Sequence, residues 1–137
     1  LDGMLVNPSG GASSTAEDYM KFLVMLMNKG KYAGKQILSE ESVEQLMLIQ
    51  TTPEKIKYAP KSATGYNYAL GSWVVEEQDG KATALACPGL FGTWPMIDFC
   101  RGYAYIVFVK SLLGEERAGT HIQLKSIIDE QIPTTCK

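Results

Sequence analysis

The sequence predicts an α+β chain, an antiparallel sheet of three or four strands flanked by helices. Three observations predict it. Helix-start chemistry followed by helical apolar spacing occurs near the beginning and again at the end. Extended aromatic and β-branched runs fill the middle. The strongest hairpin signal, Gln78-Asp79-Gly80-Lys81, stands between two of those runs, where an Asp-Gly pair suits the tight turn of antiparallel neighbours.

The 137 residues fit a single domain or fragment, 1–137, and suffice to bury a core. With 45% hydrophobic and 20% charged residues, the composition is that of an ordinary folded chain. A net charge of −2 gives no electrostatic footprint for nucleic acid or acidic lipid. The longest apolar runs, Phe22 to Met27 and Tyr103 to Val109, are too short to span a bilayer. The opening residues Leu1 to Met4 carry neither the charged nor the apolar region of a signal peptide.

Asn7 to Ser14 is a turn-forming lead-in of small residues. A helix follows. Ser14 stands three before Glu17 and Thr15 three before Asp18, so either hydroxyl has capping-box spacing. Tyr19, Phe22, Leu23 and Leu26 recur at helical spacing, and Met20, Val24, Met25 and Met27 make the helix apolar nearly all round, which predicts burial. Lys29-Gly30 stops it. The methionines are read as core packing. Tyr32 to Lys35 is a turn, and Ser39 caps a second helix with a narrower stripe of Val43, Leu46 and Met47.

Thr51 to Thr64 holds Pro53, Pro60, Lys55, Lys57 and Lys61 with little periodicity. It reads as an exposed loop whose local basic charge could attract an anion. Tyr66 to Glu76 is predicted as one strand and Ala82 to Cys87 as its return; Thr93 to Asp98 and Tyr103 to Lys110 follow, with a turn near Arg101-Gly102. The run from Tyr103 to Val109 is so continuously apolar that it should be central, with both faces covered. Thr120 and Gln123 have capping-box spacing, and Leu124, Ile127, Ile128 and Ile132 would form the buried stripe of a terminal helix ending at Pro133. That helix would back one face of the sheet, and the N-terminal helices the other.

Chemistry concentrates in Ala86 to Asp98, where two extended runs meet across a glycine-bearing corner. Gly89 and Gly92, with Pro88 before them, let backbone approach another surface and present N–H groups. A plain connecting loop is the blander reading of the same residues. Cys87 would need a base or cation beside it to act as a nucleophile, and Ala86, Pro88 and Gly89 supply neither, so it reads as a structural thiol. His121, the single histidine, reads as an exposed helix-start residue. The acidic pairs Glu17/Asp18, Glu40/Glu41 and Glu115/Glu116 stand at predicted helix starts, where the helix dipole favours them. Gly10-Gly11 lacks the preceding strand and following lysine of a phosphate loop. No spacing suggests a metal or a cofactor. Cys87, Cys100 and Cys136 can form at most one internal disulfide. The helices and strands supply a core without it, so reduction is expected to change the melting temperature little.

Taken in order, these segments resemble the β-lactamase-related serine hydrolases: class C β-lactamases, D-alanyl-D-alanine carboxypeptidases and related esterases. Ser9 to Phe22 is similar to their Gly-Gly-x-x-Ser-Thr-Ala-x-Asp-x-x-x-Phe helix start, and Lys29 to Ser39 to their Asn-Gly-Gly-x-x-x-Gly-x-x-Leu-Leu-Ser stretch. Tyr68 to Trp73 resembles the Tyr-Gly-Leu-Gly strand, and Cys87 to Thr93 falls on the His-x-Gly-x-x-Gly corner. The resemblance covers the C-terminal part of such a fold. It implies a parent hydrolase of amide or ester bonds in D-alanyl peptides, β-lactams or esters, placed like penicillin-binding proteins at the cell envelope, periplasmic or extracellular. It puts the third motif at Cys87, substrate along the strand edge at Gly89, and one oxyanion N–H at Leu90. The family's Ser-x-x-Lys nucleophile motif occurs nowhere in these residues, and Cys87 stands where the family carries lysine or histidine. The chain alone is therefore expected to be inactive. A non-catalytic peptidoglycan- or peptide-binding relative, or a purely structural fragment, remain as alternatives. In the resembled fold further strands pack beside Tyr103 to Lys110, so the isolated chain should self-associate or pair with that N-terminal part.

Overall fold

The computed structural model describes residues 12–112 and 117–137. Its elements run α1 (Ala16–Met27), β1 (Lys31–Tyr32), β2 (Lys35–Gln36), α2 (Glu40–Met47), β3 (Asn67–Tyr68), β4 (Trp73–Gln78), β5 (Lys81–Ala86), β6 (Trp94–Asp98), β7 (Tyr103–Val107) and α3 (Ala118–Asp129). The α+β class is as expected. The main sheet is antiparallel and has five strands in the order β3-β4-β5-β6-β7, and β1 with β2 forms a separate ribbon.

Local chemistry sets the helix starts. Thr15, not Ser14, caps α1: its hydroxyl accepts from the Asp18 N–H at 3.1 Å. Ser39 caps α2 in the same way from Ser42. Lys29 and Gly30 both take positive φ after α1, and a Cβ on Gly30 would stand 2.1 Å from the Leu38 carbonyl oxygen, so glycine is required there. The acidic pairs at Glu17/Asp18 and Glu40/Glu41 occupy helix first turns as expected; Glu115 and Glu116 lie outside the described residues.

Several expectations are corrected. The stretch Tyr66 to Glu76 is two strands, because the chain reverses at Ala69 to Ser72, with Gly71 at positive φ, and β3 pairs back on β4. The all-round apolar α1 buries Leu23 and Met25 and leaves Phe22 half exposed. The run starting at Tyr103 lies at the edge of the sheet. Its continuous apolarity comes instead from helices on both faces: α1 packs on it from one side, while Tyr103 and Tyr105 reach Asp129 and the His121 carbonyl of α3 from the other. The loop 51–64 contains two 3-10 turns, and Ser62 and Ala63 within it are buried.

The terminal helix departs furthest. It begins at Ala118 with no side-chain cap, leaving Thr120 inside it, and its buried residues are His121 and Lys125, while Ile127 is exposed. His121 is not a surface residue; its ring stacks on Trp94 at 4.3 Å and 10°.

Cross-strand pairs share a face. Glu76, Ala84, Ala86, Met96, Asp98, Tyr103 and Tyr105 therefore face α3, and Val74, Leu85, Ile97 and Ala104 face α1. Glu76 reaches the α3 face because the β4–β5 register shifts on both sides of it; an extra residue in a strand flips every side chain beyond it. Cys100 and Cys136 form a disulfide, and Thr135 donates from both its amide and its hydroxyl to the Cys100 carbonyl. The tail after α3 is thereby tied to the β6–β7 turn.

Candidate functional site

Cys87, Gly89 and Leu90 lie together where β5 leaves the sheet. The Cys87 N–H donates to the Pro95 carbonyl at 3.3 Å, but Pro95 has no N–H to return, so the β5–β6 ladder ends there and the strands part. Gly89 donates to the Thr93 carbonyl at 2.8 Å and its own carbonyl accepts from Gly92 at 2.8 Å, closing the corner on itself. Gly92 has φ +90°, which explains that glycine. Gly89 is different. A Cβ there would meet Thr93 at an ordinary 3.5 Å, so nothing among the described residues demands glycine at this position.

Leu90 and Phe91 are half exposed at the tip. The segment after β7 runs beside them, with the Ser111 N–H donating to the Phe91 carbonyl at 2.9 Å. Beneath the corner, between α1 and the sheet, opens a cleft of about 220 Å³ walled chiefly by Tyr19, Phe22, Leu70, Ser72, Cys87 and Pro95. Cys87 is a free, exposed thiol. Packed surroundings push its pKa up. Tyr19 and Tyr68 are likewise raised, by burial first and by proximity to the Cys87 sulfur second. All three groups are thus neutral near pH 7, and among the described residues no cation lowers the thiol pKa.

The far side of the sheet holds a charge cluster that the sequence reading missed. Lys125 Nζ donates to Asp129 Oδ2 at 2.6 Å, Glu76 Oε1 at 2.5 Å and Asp98 Oδ2 at 3.1 Å. Arg101 donates to the same Asp98 oxygen at 2.9 Å and to Glu76 Oε2 at 3.1 Å. Burial alone would raise the Asp129 pKa, but the hydrogen bonds of Lys125 and Tyr103 and the two cations pull it below its usual value. Burial would lower that of Lys125, and the carboxylates raise it instead. Tyr105, desolvated and facing Asp129, is pushed up to about 12. Glu76, Asp98 and Asp129 are close enough to ligate one metal ion. The Lys125 ammonium occupies that central position, so the cluster is a closed salt-bridge network. Two local signals could have revealed it: the i,i+4 spacing of Lys125 and Asp129, and the i,i+3 spacing of Asp98 and Arg101.

No protein-family model matches the chain. Two Mycobacterium tuberculosis proteins, Protein Rv1367c (strain ATCC 25618 / H37Rv) and the uncharacterized protein MT1414 (strain CDC 1551 / Oshkosh), are each 31% identical to it in an alignment 103 residues long that covers 67% of this chain. The match spans 26% of each relative's length. Among solved structures, a candidate β-lactamase from Bacteroides dorei DSM 17855 superposes with a TM-score of 0.56 at 23% identity, over 87% of this chain and 44% of that one. A candidate 6-aminohexanoate-dimer hydrolase from Bacillus anthracis does so with a TM-score of 0.61 at 24% identity, over 88% of this chain and 30% of its own. The chain has a β-lactamase-like fold. Its sheet and helices correspond to less than half of either structure. Among the described residues no helix is long and apolar enough to cross a membrane.

Proposed function

We propose that this chain is the C-terminal, substrate-edge part of a β-lactamase-like serine hydrolase acting on amide or ester bonds at the cell envelope, and that it does not itself carry the nucleophile. The observation that supports this most is the corner. Pro95 ends the ladder at Cys87, and Gly89 carries no side chain although the fold has room for one. Backbone lying bare beside a cleft is suited to a substrate aligned along the strand. In this reading Leu90 presents its N–H to the oxyanion of an acyl-transfer intermediate, with Cys87 at the third-motif position and Gly89 as the seat of the substrate. One such donor contributes roughly 3 to 4 kcal/mol to transition-state stabilisation. It requires a serine supplied from outside these residues.

A second reading, a non-catalytic binder of peptides or peptidoglycan fragments, is favoured by the neutral Cys87. The edge of β7, which pairs with no other strand among the described residues, offers a place for the N-terminal part of the fold or, in its absence, for a second copy. The test is incubation of the chain with a chromogenic cephalosporin, a short-chain ester and a fluorophosphonate probe, followed by mass spectrometry. No turnover and no serine adduct are expected. An adduct on any serine would overturn the absence of a nucleophile, and an adduct on Cys87 would make the thiol the reactive group.

A further inference from the structure

We infer that the cleft beneath the corner accepts an uncharged, apolar group, such as the short hydrocarbon chain of an ester, and excludes carboxylates; this narrows the hydrolase reading above and rests on it. The cleft's described walls comprise Tyr19, Phe22, Leu70, Leu85, Pro95 and further aliphatic residues, with Ser72 and the Tyr19 hydroxyl adding polarity but no charge. Residues 1–11 and 113–116 contain no lysine, arginine or histidine, so they add no basic side chain either. The position facing the cleft from the corner is Cys87, a neutral thiol where a lysine would have supplied a countercharge. A carboxylate entering here would lose its hydration and gain no ion pair, and burying an unpaired charge is strongly unfavourable. An aliphatic chain loses nothing by the same transfer and gains with each methylene it buries. At about 220 Å³ the space is smaller than the ~300–1,000 Å³ of drug-sized pockets. It suits a short chain or one small ring.

Amide spectra of the isotopically labelled chain, titrated with methyl hexanoate and separately with hexanoate, provide the test. The ester is expected to shift the amides of Tyr19, Phe22, Gly71 and Cys87 and to bind at least ~10-fold more tightly than the anion, a ratio set by the uncompensated charge. Cys87→Lys is expected to strengthen hexanoate binding at least ~10-fold while leaving the ester no tighter. Leu70→Lys, at a second exposed wall position, checks the same point should the first variant lose its dispersed spectrum. Equal or tighter binding of hexanoate by the unmodified chain would overturn the inference, and so would failure of either ligand to shift the cleft amides. The Leu90 amide separates the two readings. Ester binding in the cleft with Leu90 unmoved supports the apolar selection and counts against the oxyanion role. Leu90 shifted equally by both ligands, with equal affinities, keeps the role of the corner and rejects the selection.

Discussion

The two faces of the sheet are held by opposite means. On the α3 face, Lys125 and Arg101 draw Glu76, Asp98 and Asp129 into one cluster centred on the buried Lys125 and Asp98, His121 stacks on Trp94, and the Cys100–Cys136 bridge ties down the tail. On the α1 face, the helix lies on the sheet and leaves a cleft beneath the corner, with Phe22 and Leu70 half exposed around it. One face is closed by charges that must all be satisfied together. The other is non-directional packing that tolerates a gap. A buried ion cluster fixes geometry, because each member left alone is costly, whereas apolar walls can receive a ligand or another helix without breaking a hydrogen bond.

The largest expected effect breaks the closed face. Lys125→Met removes the ammonium from between the carboxylates, and the loss should be about 3 to 5 kcal/mol of unfolding free energy, as for a buried ion pair stripped of one partner. Denaturant midpoints at pH 7 measure it. Leu70→Ala, on the open face, should cost far less, since Leu70 is already half exposed. Comparable losses in the two variants would erase the contrast.

Reduction comes next. The bridge joins cysteines 36 residues apart and anchors the tail after α3, so reducing it should cost about 2 to 4 kcal/mol. This runs against the expectation, drawn from a core supplied by the helices and strands, that reduction hardly matters. Calorimetry with and without reductant decides between them.

How far the chain could be read in advance follows the same division. The cap at Ser39, the stop at Gly30, the Asp79-Gly80 hairpin and the corner at Cys87 to Gly92 are local, and short-range sequence signals show them. The closed face is not local. Glu76, Asp98 and Lys125 come from three elements, and a register shift in β4 decides which way Glu76 points. Periodicity assigned Ile127 to the core and His121 to the surface, and tertiary context reversed both. The residues walling the cleft, Tyr19 and Leu70 among them, carry only core or strand signals in the sequence, because their meeting depends on how α1 crosses the sheet.

The smallest expected effect is a pH slope. Burial lowers the His121 pKa below 6.5, so near that pH the unfolded chain binds more protons than the folded one. The associated stability is present above pH 6.5 and is lost as pH falls toward the lowered folded-state value. Asp129, also lowered, adds a second loss as pH falls below about 3.8 toward its own folded-state value. His121→Phe should keep the stack on Trp94 and abolish the first slope only. Midpoints from pH 7.5 to 3 measure both, and a first slope unchanged in the variant would assign it to another group.

The contrast between a closed and an open side is tested most directly by amide hydrogen exchange along β7 over a dilution series followed by light scattering. Pro95 pairs opposite Ile106, and Trp94, Met96 and Asp98 pair opposite Val107, Tyr105 and Tyr103. Since proline cannot donate, the amides of Tyr103, Tyr105 and Val107 point inward to β6, and those of Ala104 and Ile106 point to the free edge. In the dilute monomer the inward amides should be protected and the edge amides exchange fast, with edge protection appearing only as the scattering mass rises. A monomer that persists at high concentration with Ala104 and Ile106 fully protected would contradict the account.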